Sequence, residues 1–152
     1  MRSPTSNEVT GFLLSRQHSA SGSEIDWDAR LREWLDAVER LYQKVKELLA
    51  ESRGNGLVTI SQVDKELQEE YLGTYKVPEL VLNLGEETVR FSPKGRNVVG
   101  AKGRVDLIGE LDTVTLVLEP EGHWSVVLSR VPRDVVGLDD KTLAQALRRV
   151  MR

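Results

Sequence analysis

Between Asp26 and Arg53, apolar residues return at Trp27, Leu31, Trp34, Val38, Leu41, Val45 and Leu48, alternately four and three positions apart. This repeat keeps a row of side chains on one side of an α-helix. Leu35, Tyr42 and Leu49 form a second row, one position after Trp34, Leu41 and Leu48. With Leu31 as heptad position a, the stripe fills a, d and e, wider than the seam of a two-stranded coiled coil. Both ends of the helix are marked. Ser23 and Asp26 have the spacing of a capping box, and Asp26 and Asp28 put negative charge where the helix dipole favours it. Gly54 and Gly56 flank Asn55, which suits a left-handed cap. Asp26 with Arg30, Asp28 with Arg32 and Asp36 with Arg40 are opposite charges four apart, each expected to add about 0.3 kcal/mol.

After the helix the period drops to two. Val58 to Val63 reads as a strand, with Val58 and Ile60 on one face and Thr59 and Ser61 on the other. For residues 64–72 two readings stay open: Val63, Leu67 and Tyr71 have helical spacing, and a twisted, solvent-facing strand fits equally. Gly73 and Pro78 interrupt the next stretch. Leu80 to Leu84 and Thr88 to Phe91 are apolar runs joined in a tight hairpin by Gly85, Glu86 and Glu87, and Ser92 to Gly100 reads as a loop. Gly103 to Ile108, Val114 to Leu118 and Trp124 to Leu128 then form a meander that turns at Gly109 to Asp112 and at Pro120 to His123. Such short connections require antiparallel neighbours. Val131 to Gly137 leads out, and Asp139 or Asp140 caps a last helix with Leu143, Leu147, Val150 and Met151 on its apolar side. The expected fold is α+β: a long N-terminal helix, an antiparallel sheet of about five or six strands, and a short C-terminal helix packed on it. Its parts are a flexible leader over 1–24, the amphipathic helix over 25–54, and an antiparallel β domain with the C-terminal helix over 57–152.

Composition narrows the class without supplying a role. A chain of 152 residues, 39% hydrophobic and 30% charged, fits a small soluble domain with an extended element. A net charge of -3 gives no overall attraction for a polyanion and leaves a local basic patch open. With no cysteine there is no disulfide framework, no Cys-ligated zinc and no thiol nucleophile, which points to a cytoplasmic location. In the Ser-rich leader the longest apolar run, Phe12 to Leu14, is too short for a membrane span or a signal-peptide core, but it is able to dock as a strand or clip onto a neighbouring subunit.

At 1.5 Å per residue the helix would be roughly 40 Å long, against about 30 Å for a globule made from the remaining chain. One end is therefore expected to overhang. Burying the stripe is worth about 15 to 25 kcal/mol gross, so an exposed end calls for a partner, and a second copy of the helix is the nearest supply. On this reading Trp27, Leu31, Trp34, Val38, Leu41, Val45 and Leu48 are an oligomer interface. The competing reading keeps them as core beneath the protein's own sheet, with Trp27 and Trp34 as packing anchors.

No acidic residue lies between Thr88 and Val105, where Arg90, Lys94, Arg96, Lys102 and Arg104 are interspersed with Gly95, Gly100 and Gly103. Glycines let backbone N–H groups approach an anion, so Arg96, Lys102 and Arg104 are candidate ligands for a phosphate or nucleic acid. The segment is not a P-loop: its lysine comes one place late, and no Ser or Thr follows to hold magnesium. Solvated charges near turns explain the same residues without any ligand. His18 and His123 have no partner at metal-ligand spacing, so no metal and no cofactor are expected.

Gly103, Arg104, Val105, Asp106 and Leu107, followed by Leu116, Val117, Leu118 and Glu119, resemble part of the core of the PD-(D/E)xK nuclease superfamily. The resemblance covers under a fifth of the chain. It implies Asp106 and Glu119 as metal carboxylates that activate water, while the family's lysine position holds Glu121 here. The leading expectation is a non-catalytic, self-associating interaction protein assembled through the long helix. Behind it stand a nucleic-acid or phosphate-ligand binder acting through 90–104, and last the degenerate nuclease core.

Overall fold

The computed structural model describes residues 26–97, 101–130 and 133–152. Helix α1 spans Trp27–Leu48 and a short α2 spans Ala50–Gly54. Then come β1 (Thr59–Glu69), β2 (Gly73–Leu84), β3 (Glu87–Gly95), β4 (Gly103–Ile108), β5 (Thr113–Leu118), β6 (Trp124–Arg130), β7 (Arg133–Gly137) and a terminal α3 (Asp140–Val150). Every strand pairs antiparallel with the next, giving one sheet in the order β1-β2-β3-β4-β5-β6-β7. The α+β architecture is as expected, with seven strands rather than five or six. The leader, with Phe12 to Leu14 and Ser23, lies outside the described residues.

Asp26 is itself the N-cap of α1, accepting the Ala29 backbone N–H at 3.0 Å. The single helix expected over 25–54 is interrupted at Leu49, whose ψ of 4° breaks the helical run before α2 continues it. The left-handed residue at the end is Gly56, at φ 75°, and the Leu57 N–H returns to the Ser52 carbonyl as a Schellman cap requires. None of the three expected i,i+4 ion pairs closes among the described residues. Exposed pairs gain too little in water to hold two long side chains in one geometry.

Residues 64–69 continue β1 and 70–72 turn into β2, so the ambiguous stretch is strand and turn rather than helix. The hairpin after Leu84 needs only Gly85 and Glu86, because Leu84 already pairs with Glu87. Gly85 has φ 66° at the first central position, as a type II′ turn demands. The expected loop from Ser92 is strand as far as Gly95, and the expected lead-out contains the short β7. Asp139 caps α3 with a full capping box shared with Thr142.

The helix does not overhang. Trp34, Val38, Leu41, Tyr42 and Val45 are at most 1% exposed within the single chain, and they join sheet and α3 residues in one hydrophobic cluster. Leu31, Leu35 and Leu48 pack partly buried against it. Each fully buried side chain contributes about 1.5 to 3 kcal/mol gross, so the stripe is spent as core. The sheet is not a small sphere: the 12 residues of β2 reach about 40 Å, beyond the roughly 33 Å of the 22-residue α1. Trp34 stands 6.1 Å from Trp124, Tyr42 stands 6.4 Å from Phe91, and a Cβ on Gly103 would lie 2.2 Å from the Trp34 ring. Gly103 is thus the gap into which the indole fits.

Candidate functional site

β2 changes its buried face halfway along. Tyr75 and Val77 are buried before Pro78, and Leu80 and Leu82 after it. Alternate residues of a strand point to opposite faces, so the face turned to the core switches near Glu79. The cause is a fork. β2 pairs with β3 only from Leu80 to Leu84, and before that point the β1–β2 ribbon leaves the sheet. Two-stranded ribbons twist more than wide sheets do, which lets this one curl toward α1.

At the fork the Tyr42 hydroxyl donates to the Pro78 carbonyl at 2.6 Å and lies 3.3 Å from that of Phe91. Burial, then the nearby Glu79 charge, pushes the Tyr42 hydroxyl far above its ordinary pKa. On the other face Glu79 accepts from the Ser92 hydroxyl and from Lys65 Nζ at 3.5 Å, with Arg90 at 3.9 Å. Next in that row Asp106 takes both Arg104 donors, at 2.8 and 3.1 Å, and the Thr115 hydroxyl at 3.3 Å. That hydrogen-bonded carboxylate holds the Arg104 guanidinium above its usual pKa.

The tip of the ribbon is fastened by Glu69. Its carboxylate accepts the backbone N–H of Arg96 at 2.9 Å, the N–H of Asn97 at 2.8 Å, and the Tyr75 hydroxyl. Trp34 Nε1 in turn donates to the Tyr75 oxygen at 2.9 Å. A Cβ on Gly95 would come within 2.7 Å of Glu69 Oε1, and Gly95 has φ 146°, a backbone conformation that favours glycine. Two amides of the glycine-containing basic segment, those of Arg96 and Asn97, thus hold the protein's own Glu69. Beside it Tyr71, at φ 69°, stacks on Trp27 with centroids 4.9 Å apart, and Arg30 lies over the same indole at 5.1 Å. An open cleft of about 530 Å³ runs between Trp27, Glu69, Glu70, Tyr71, Lys94 and Asn97.

The residues singled out from sequence are mostly dispersed or committed. The Arg96 amide holds Glu69, Arg104 is paired with Asp106, and Lys102 is exposed ahead of β4. Asp106 and Glu119 do not converge. Asp106 sits opposite Thr115, and Glu119 lies four residues further along, roughly 13 Å away at strand rise. Among the described residues no group of three His, Cys, Asp or Glu is placed to hold a metal. The nuclease-like pairing of carboxylates is therefore corrected: Asp106 is an ion-pair partner within the sheet. No helix among the described residues is long and apolar enough to cross a membrane.

Lys65, Glu69, Tyr75, Glu79 and Ser92 escaped sequence reasoning because their partners are distant in the chain. The run Lys65 to Glu69 has a single apolar residue and so carries no alternation that would have marked them. Among the described residues no buried side-chain N or O lacks a partner. The backbone of β1 has one side that pairs with no other strand among the described residues. It is an edge strand, its residues Ser61 to Asp64 are exposed, and Val63 is 56% exposed. No family model, curated protein or solved structure matches this chain.

Proposed function

We propose that the protein is a non-catalytic interaction module that works by strand addition at the open edge of β1. One observation carries the reading: an 11-residue edge strand whose outer backbone groups have no partner among the described residues. An edge of this kind offers a ladder of donors and acceptors to any extended chain. The internal pairing of Glu69, Glu79 and Asp106 supports a structural use of those carboxylates. The lack of cysteine supports work in a reducing compartment.

The reading is tested by panning a random phage-displayed peptide library on sparsely immobilised protein. Recovered peptides are synthesised and titrated by fluorescence anisotropy against wild type, Gln62→Pro and Val63→Pro. Neighbouring N–H groups point to opposite sides of a strand, so one of the two prolines removes an outward donor at little cost to the fold. Extended, alternating peptides are expected, with binding lost in that variant. Peptides that bind both variants as well as wild type, or a library that yields no binder, would overturn the proposal.

A further inference from the structure

Resting on the strand-addition reading, we infer that the strand completing the edge is β1 of a second copy, paired antiparallel about a two-fold axis through Val63. The charge pattern of β1 selects this occupant. Thr59, Ile60, Ser61, Gln62 and Val63 are uncharged, while the other half carries all the charges, Asp64, Lys65, Glu66 and Glu69. An antiparallel copy lays the uncharged half of each strand against the charged half of the other.

The register follows from two-fold symmetry. Such an axis stands perpendicular to the sheet and preserves its faces, so it passes through a residue that meets its own copy. Centred on Asp64 or on Lys65, the pairing sets like charges directly opposite one another, which is destabilising. Centred on Val63, it sets Gln62 against Asp64, Ser61 against Lys65, Ile60 against Glu66 and Thr59 against Leu67 of the second copy. No like charges oppose. This register is longer than those centred nearer the start of the strand, and it places the exposed Val63 against another Val63. It also stops short of Glu69, whose carboxylate is held by the Arg96 and Asn97 amides. A two-fold contact closes at two copies, joining both sheets into one without open-ended growth.

Sedimentation equilibrium across a wide concentration series tests this on the full chain. Wild type is expected to approach dimer mass. Val63→Lys puts two ammonium groups on the axis and should weaken association at least about tenfold, with unchanged circular dichroism because the side chain is mainly in solvent. Ser61→Glu sets a carboxylate against Lys65 of the second copy, twice per dimer. It should tighten association about three- to tenfold, an effect that fades with salt. A dimer that Ser61→Glu weakens has a different register, and one indifferent to both variants uses a different surface; either overturns the inference. Wild type that stays monomeric while the library peptides still bind overturns self-pairing and leaves strand addition standing. Monomer without peptide binding removes both.

Discussion

β1 and β7 are the two edges of one sheet, yet β1 runs for 11 residues and β7 for five. The short edge is tied down where it ends: the Thr142 hydroxyl donates to the Gly137 carbonyl at 2.8 Å, and the Leu138 N–H reaches the Trp124 carbonyl at 3.3 Å. The long edge is fastened through its partner β2, by Tyr42 at Pro78 and Trp34 at Tyr75, and at its tip by Glu69. Those contacts hold β1 in place, and among the described residues none of them uses its outer backbone groups. Natural sheets shorten, charge or cover their edges to prevent pairing. Here β7 is short and tethered, and only the latter half of β1 is charged. The uncharged half, Thr59 to Val63, is where a partner strand has reason to begin.

Removing what holds the ribbon should erase the contrast first. Trp34→Ala leaves a cavity against Trp124 and Gly103 and takes away the Tyr75 anchor, at an expected cost of about 3 to 5 kcal/mol in urea unfolding. Tyr42→Phe strands the Pro78 carbonyl at the fork, for about 1 to 3 kcal/mol by the same measurement. Acid acts on the other edge. The Asp139 carboxylate is held below its ordinary pKa, chiefly by the Thr142 backbone N–H. A depressed folded pKa means stability that is present above the unfolded value of about 3.9 and is lost as pH falls through the folded one. Amides of α3 should therefore begin to lose protection, relative to their intrinsic exchange rates, below about pH 4, before those of β2 do, and Asp139→Asn should remove that pH dependence while retaining a cap. Val63→Lys is the smallest perturbation to the fold, within about 0.5 kcal/mol by urea unfolding, although it has the largest expected effect on mass.

The local features were legible in the sequence, and the long-range ones were not. α1, the β4–β5–β6 meander and the Asp139 cap follow from periodicity and turn residues that lie side by side. β7 was hidden because Val135 and Val136 stand in a strand too short to show alternation. The helix is as expected but does not overhang: its stripe is covered by the sheet and α3 together, with Trp34 against Trp124 and Tyr42 against Phe91, and by a ribbon whose β1 half could not be told from helix over 64–72. The basic segment reads from sequence either as a contact for an external anion or as solvated charges, and the carboxylate that its Arg96 amide does meet, Glu69, lies 27 residues earlier. Spacing within a loop carries no mark of such a partner.

Hydrogen exchange at the amides of Thr59 to Leu67, followed in dilute and in concentrated protein, tests the open edge most directly. The outward-pointing, alternate amides are expected to exchange quickly in dilute solution and to become protected as concentration rises, while the set bonded to β2 stays slow throughout. Equal rates for the outward set at both concentrations, whether fast or slow, would contradict an edge that a second copy completes.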